Sequence, residues 1–140
     1  MLKNNKNILF IGLGSIGQRH FRNFRRIAKN YNFFALRKVK NSPELTKNNL
    51  VKSPKLDLKK KNIIEISEAN SVRKKFDAVF ICNPSSLHLN YALKFAKKNT
   101  ALFIEKPLSH NLKGLKELEN KIKKNKIICA VGYQLRYHKF

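Results

Sequence analysis

Three glycines carry the first chemical signal in this chain. Gly12, Gly14 and Gly17 stand in the spacing G-x-G-x-x-G, directly after the apolar run Ile8-Leu9-Phe10-Ile11. In a dinucleotide site the three glycines serve different ends, namely a tight turn, close backbone approach to a pyrophosphate, and tight helix–strand contact. Ser15 and Ile16 then open a helical segment, whose free N–H groups and dipole favour a bound phosphate. Three of the five glycines of the chain fall in this one turn. The spacing alone is equally that of a glycine-rich connection with no ligand, and the strand before it and the helix after it favour the phosphate-binding reading.

A second signal is Arg37, twenty residues after Gly17. An acidic residue at about this distance would accept a hydrogen bond from the ribose 2′-hydroxyl of NAD. No Asp or Glu occurs between Asn32 and Ser42. A guanidinium here instead suits a 2′-phosphate, through bidentate, charge-assisted hydrogen bonds. The expectation is therefore NADP(H) in preference to NAD(H), with NAD(H) still possible. An ordinary solvated arginine is the rival reading.

The elements that must position these residues follow from the apolar pattern. Ile8–Ile11, Asn32–Leu36, Asn62–Ile66, Asp77–Cys82, Ala101–Ile104 and Ile127–Val131 read as six strands. Most are apolar throughout, as strands covered on both faces of a parallel sheet must be. Helices are expected from Ser15 to Asn30, with Ile16, His20, Phe24, Ile27 and Ala28 inward, and from Ser67, as a cap, to about Lys75. Two more run from a hydroxyl cap at Ser85-Ser86 to about Lys98, with Leu87, Tyr91 and Phe95 inward, and from Asn111 to Lys124 over Leu112, Leu115, Leu118 and Ile122. Lys40–Lys61, with Pro43, Pro54 and many polar residues, reads as a long mobile connection with little regular structure. This alternation predicts an α/β, doubly wound parallel sheet of order 3-2-1-4-5-6. Such a sheet gathers ligand chemistry at the carboxyl ends of its strands. There the pattern places the glycine turn, Arg37, Asn83–His88, Glu105–Pro107 and Tyr133–Arg136.

Composition narrows the partners. At 140 residues the chain makes one domain with a real core. No run of about eighteen apolar residues appears, and the polar MLKNNKN leads straight into the first strand, so neither a membrane span nor a signal peptide is expected. Cys82 and Cys129 stand apart without a metal-ligand spacing, so no metal is expected; they read as reduced, buried side chains in a cytoplasmic setting. The 31 Lys and Arg against 8 Asp and Glu give a formal charge of +23. That excess raises nucleic acid as a partner. The lysines are spread over nearly every segment, however, and no recognition helix, zinc finger or aromatic stacking platform accompanies them. A solvated lysine-rich surface accounts for them better.

Four segments taken together, GLGSIGQRH, DAVFICNPSSLH, FIEKPL and VGYQLRYH, resemble the Gfo/Idh/MocA family of NAD(P)-dependent oxidoreductases. The resemblance runs through essentially the whole chain. It implies an N-terminal Rossmann domain, followed in family members by an α/β domain that helps form the substrate site. It also implies oxidation or reduction of a carbinol carbon of a sugar, sugar nucleotide or cyclitol. GSIGQRH, the arginine after the second strand and GYQLRYH are most similar to members acting in surface-polysaccharide and sialic-acid-like sugar pathways. Carried over by residue, Gly12, Gly14 and Gly17 with Ser15 and Ile16 match the pyrophosphate turn. Asn83, Pro84 and His88 match the segment beside the cofactor. Glu105, Lys106 and Pro107 match the E-K-P motif, whose lysine lies near the nicotinamide and the substrate hydroxyl, and imply a cis Lys106–Pro107 peptide. Lys106 is thus the expected catalytic residue, since an ammonium can polarise a carbonyl or shuttle a proton. Tyr133 and Arg136 match positions near the mouth of the active site, on the substrate side. His20 and His88 are expected near the cofactor or core rather than in proton transfer.

The departure from the family is length. Members continue for about as many residues again, and their second domain supplies a histidine for proton transfer. After Lys106 only His110 and His138 remain here, neither in the matching context. Residues 1–134 are expected to form the NAD(P)-binding domain and 135–140 to begin a substrate domain. A truncated product, completed by a separate C-terminal half or by homo-oligomer formation, fits this length. A non-catalytic dinucleotide-binding or regulatory module is the alternative.

Overall fold

The computed structural model describes residues 5–28, 30–48 and 50–137. Strands β1 (Lys6–Ile11) and β2 (Tyr31–Leu36) flank helix α1 (Ser15–Ile27); β3 (Glu44–Leu45) and β4 (Val51–Ser53) follow. Then come β5 (Ile63–Glu65), α2 (Glu68–Arg73), β6 (Ala78–Ile81), α3 (His88–Phe95), β7 (Ala101–Ile104), α4 (Leu115–Asn125) and β8 (Cys129–Val131). The main sheet has six strands in the order β5-β2-β1-β6-β7-β8. All its pairings are parallel. Numbered along the chain, those six strands lie as 3-2-1-4-5-6, so the fold is the doubly wound, Rossmann-like sheet expected.

The continuous apolar strands are explained by a core on each face. Alternate residues of a strand point to opposite sides. Ile8 and Phe10 pack with Leu13, Phe21 and Phe33 under α1, while Leu9 and Ile11 pack with Phe34, Tyr91, Phe95 and Leu118 under α3 and α4. The α1 face is aromatic: Phe10 stacks on Phe80 at 4.7 Å and meets Phe21 edge-on at 5.7 Å. The central strand is covered on both sides, so neither alternate position can be polar.

Four local expectations need correction. Lys40–Lys61 is not without regular structure: β3 and β4 form an antiparallel hairpin. Leu56 and Leu58, which follow it, are buried in the α1-side core. On α1 the buried residues are Gly17, Gln18 and Phe21, with Phe24 packed against them, whereas Ile27 is 82% exposed. The helix is rotated so that Ile16, His20 and Ile27 share its flank. α4 starts only after Gly114, which leaves Leu112 outside its periodic face and 84% exposed. At the start of α3 no side chain caps the turn Ser85–Leu87, a single 3₁₀ turn preceded by Pro84. Ser67 does cap α2, accepting from the Asn70 N–H at 3.3 Å.

The ladder continues one residue beyond each strand. Gly12 N–H donates to Leu36 O, Cys82 N–H to Ile11 O, Glu105 N–H to Ile81 O and Gly132 N–H to Ile104 O, at 2.8–2.9 Å. These bonds hold the residues that follow four adjacent strands in one row along the carboxyl edge. No helix among the described residues is long and apolar enough to cross a membrane.

Candidate functional site

The glycine turn begins this row, and its three glycines are held by three different constraints. Gly12 has φ +87°, a conformation that strains other residues, and a Cβ there would lie 2.8 Å from the Asn83 backbone nitrogen. A Cβ on Gly17 would overlap Gly12 O, so α1 can approach β1 only without one. At Gly14 a Cβ would meet nothing within 4 Å. Space is therefore open at the one glycine that a ligand must approach. Gly14 is the N-cap of α1 and supplies no side-chain cap, and no acidic residue lies in the first turn. The first intrahelical bond is donated by Gln18 N–H to Gly14 O at 2.9 Å. The amides of Ser15, Ile16 and Gly17 are thus directed at the start of the helix without intrahelical acceptors. This donor set fits a pyrophosphate.

Gln18 fixes the turn from below, and nothing in its sequence context singles it out. Its side-chain amide nitrogen donates to Leu13 O and Pro43 O, and its oxygen accepts from Leu45 N–H. One buried side chain thereby joins the glycine turn to the β3–β4 hairpin.

Arg37 sits where expected, one residue beyond β2, yet its side chain is only 6% exposed. Its Nε donates to Glu65 Oε1 at 3.2 Å, and Lys40 Nζ donates to the same oxygen at 3.0 Å. Arg37 Nη1 is buried without a partner. Burial raises the Glu65 carboxyl, but the bonds from Arg37 and Lys40 outweigh it and hold the group below its usual range. Glu65 is not visible as a partner in the sequence because it lies on a neighbouring strand, 28 residues away.

At the end of β6, Asn83 packs its backbone against Gly12, and its side-chain amide is buried with neither end bonded. Pro84 is exposed. His88 is only 1% exposed: Nε2 is 2.7 Å from Asn83 O and Nδ1 is 2.8 Å from Pro107 O. Both partners are acceptors, so a neutral ring can donate to one of them and a protonated ring to both. Cys82 is buried, and burial, followed by the nearby Glu105 charge, pushes its thiol up to about 12, which removes it as a nucleophile.

The segment after β7 is anchored by its acid. Glu105 is buried, its Oε1 lies 2.5 Å from His20 Nε2, and its Oε2 accepts from Lys106 N–H at 3.2 Å. The His20 ring also rests edge-on against Phe103 at 4.8 Å. Spacing alone shows no sign of this pairing, which spans 85 residues. Lys106 itself is exposed, and its ammonium has no bonded partner among the described residues. The Lys106–Pro107 peptide is cis, as the family pattern implies.

Tyr133 and Arg136 follow β8, both exposed, with Arg136 in the 3₁₀ turn Gln134–Tyr137. His110 is exposed and hydrogen-bonded to Asn111; His138 lies outside the described residues. Among the described residues no group of three or more His, Cys, Asp and Glu is arranged to hold a metal.

Comparison with known proteins extends this picture. Residues 6–133 match the model of the oxidoreductase family with an NAD-binding Rossmann fold, GFO_IDH_MocA. Over 61 residues the chain is 38% identical to scyllo-inositol 2-dehydrogenase (NAD(+)) of Bacillus subtilis, a match that covers 44% of this chain and 18% of that protein. Among solved structures, scyllo-inositol dehydrogenase from Lactobacillus casei with bound NAD(H) and scyllo-inositol superposes with a TM-score of 0.71 at 22% identity. That match covers 97% of this chain and 38% of the other. A Chromobacterium violaceum dehydrogenase in complex with NADH and UDP-GlcNAcA gives a TM-score of 0.72 at 17% identity, over 98% of this chain and 37% of the other. At such identities these structures establish the fold, and the chain spans under two-fifths of their length. With the family model matched over almost its whole length, the chain belongs to the Gfo/Idh/MocA oxidoreductase family and carries its NAD-binding Rossmann fold.

Proposed function

We propose that this chain binds a nicotinamide dinucleotide along its carboxyl edge and is the cofactor-binding part of an oxidoreductase. The substrate class is a carbinol carbon of a sugar, sugar nucleotide or cyclitol. The observation that carries the reading is the open space at Gly14 beside the amides that start α1. Gly12, Gly14, Ser15, Ile16 and Gly17 would receive the pyrophosphate. Asn83, Pro84 and His88 would border the cofactor, as would Glu105, Lys106 and Pro107. Arg37 would meet a 2′-phosphate, which makes NADP(H) the preferred cofactor and NAD(H) the second.

The bound nicotinamide would supply hydride chemistry. Lys106 would hydrogen-bond the reacting oxygen through its free ammonium, with Glu105 and His20 holding the base of its loop. Tyr133 and Arg136 would stand on the substrate side. Residues 1–134 would make the cofactor domain and 135–140 the start of a substrate-binding part. A substrate-binding part beyond these residues would complete the site. Unpaired Cys82 and Cys129 support a reducing, cytoplasmic setting.

The test is direct titration of the chain with NADPH and NADH, followed by reduced-nicotinamide absorbance over a panel of sugars and cyclitols. Binding of cofactor without turnover by these 140 residues is expected. Substrate positioning is worth roughly 7–11 kcal/mol of a barrier, and family members obtain much of it from their second domain. Absence of any dinucleotide binding would refute the reading. Turnover by the chain alone would refute the need for a second part.

A further inference from the structure

We infer that Glu65 sets the cofactor selectivity of Arg37, so that Arg37, Glu65 and Lys40 act as one specificity-determining unit. The inference rests on the dinucleotide reading above and goes beyond it by naming what tunes it. Arg37 directly follows β2, at the position next to the adenosine ribose in a sheet of this topology. It is not a free guanidinium. Its Nε is committed to Glu65 Oε1, its side chain is nearly sealed from solvent, and its Nη1 is buried without an acceptor. The Glu65 side chain, in contrast, is 30% exposed and opens onto a groove of about 800 Å³ that Arg37 also lines.

Two consequences follow for a ligand in that groove. A 2′-hydroxyl can donate to the Glu65 carboxylate, which has lone pairs beyond those taken by Arg37 and Lys40. A 2′-phosphate can bond Arg37 once the side chain turns its buried Nη1 toward the groove, but it must do so beside the Glu65 charge, which repels it. Lys40 decides how far that repulsion reaches. Its ammonium bonds the same Glu65 oxygen, so Glu65 keeps a cation when Arg37 turns toward a phosphate. Lys55 and Lys59 line the same groove and add positive potential, and Asp57 is its other carboxylate. The unit therefore admits both cofactors, with Glu65 moderating the preference that Arg37 alone would impose.

The experiment is a fluorescence titration of the native chain, Glu65→Gln, Arg37→Met and the double variant with NADPH and with NADH. Circular dichroism checks the fold of each. Glu65→Gln keeps an oxygen for Arg37 and removes the charge. The NADPH-to-NADH affinity ratio should rise about tenfold, as expected for deleting one partly screened like charge close to the phosphate. In the Arg37→Met background the ratio should start lower, for want of the guanidinium, and the same change should again raise it, because the Glu65 charge acts on the phosphate directly. Should Glu65→Gln not fold, Glu65→Asp withdraws the carboxylate from Arg37 and should raise the ratio by a smaller factor. Binding of both cofactors with an unchanged ratio in the folded Glu65 variant overturns the inference and leaves the dinucleotide reading standing. A ratio that Arg37→Met leaves unchanged overturns it too, since Arg37 would then not meet the phosphate. Failure of the native chain to bind either cofactor overturns the reading itself, and the inference with it.

Discussion

Replacing Gly14 by valine should separate binding from folding. Gly14 has φ −69° and ψ −165°, within the extended region open to any L-residue, and a Cβ there finds no neighbour within 4 Å. The cost to the fold is then the poorer N-cap, about 1 kcal/mol. For a chain of this length that lowers the melting temperature by about 3–5 °C. The cost to binding is larger. A branched side chain would fill the space through which an anion reaches the first amides of α1. Each charge-assisted hydrogen bond so lost is worth about 1.5–3 kcal/mol. Two of them give roughly 3–6 kcal/mol, a weakening on the order of 10²–10⁴-fold. Gly17→Ala is the opposite control. Its Cβ would overlap a backbone oxygen, so α1 must move off β1, and the melting temperature should fall well below that of Gly14→Val. Thermal melting with NADPH and NADH titration measures both quantities. A folded Gly14→Val chain that binds either cofactor with native affinity would refute the reasoning.

Two further outcomes test the packing and the charges. Leu118→Ala should cost about 2–5 kcal/mol in urea denaturation, since Leu118 is the buried residue of α4, 2% exposed. Leu112→Ala, at 84% exposure, should change stability by less than about 0.5 kcal/mol, and equal losses would contradict the assigned helix start. The Glu44 carboxyl is held below its usual 4.5 chiefly by its hydrogen bond from Lys61, opposed by burial and aided by Lys52. Its folded value is depressed, so the stabilisation is present above the unfolded value and is lost as pH falls through the folded one. Melting temperature against pH should accordingly converge for native and Glu44→Gln chains below pH 4.5; parallel curves would show that the pair contributes nothing.

The sheet is legible in the sequence because its central strands are covered on both faces, which leaves runs such as Ile8–Ile11 and Ala78–Ile81 with no polar position to misread. The glycine turn is legible for a similar reason: its spacing is imposed by local backbone geometry. The hairpin is not. Its strands have two and three residues, and the leucines that bury it, Leu56 and Leu58, are separated by Asp57 in a polar stretch. The phase of α1 is easily misread because Ile16 and Ile27 supply a second apolar stripe on its flank, and burial selects Phe21. Arg37 is found by its distance from the turn, but its partner is not. Which carboxylate meets which cation depends on β2 lying beside β5, and His20 meets Glu105 only because α1 crosses above β7.

The buried imidazole of His88 has a mechanical consequence. Asn83 and Pro107 belong to separate loops, and the ring bridges their carbonyl oxygens with one nitrogen on each. An aromatic ring does not stretch or bend, so it works as a strut of fixed length between the two loops. A side-chain amide carries both of its N–H donors on one freely turning nitrogen, so it could reach either carbonyl without fixing the gap between them. The breadth of the crevice between the end of β6 and the Lys106 loop is thereby set by the width of a five-membered ring.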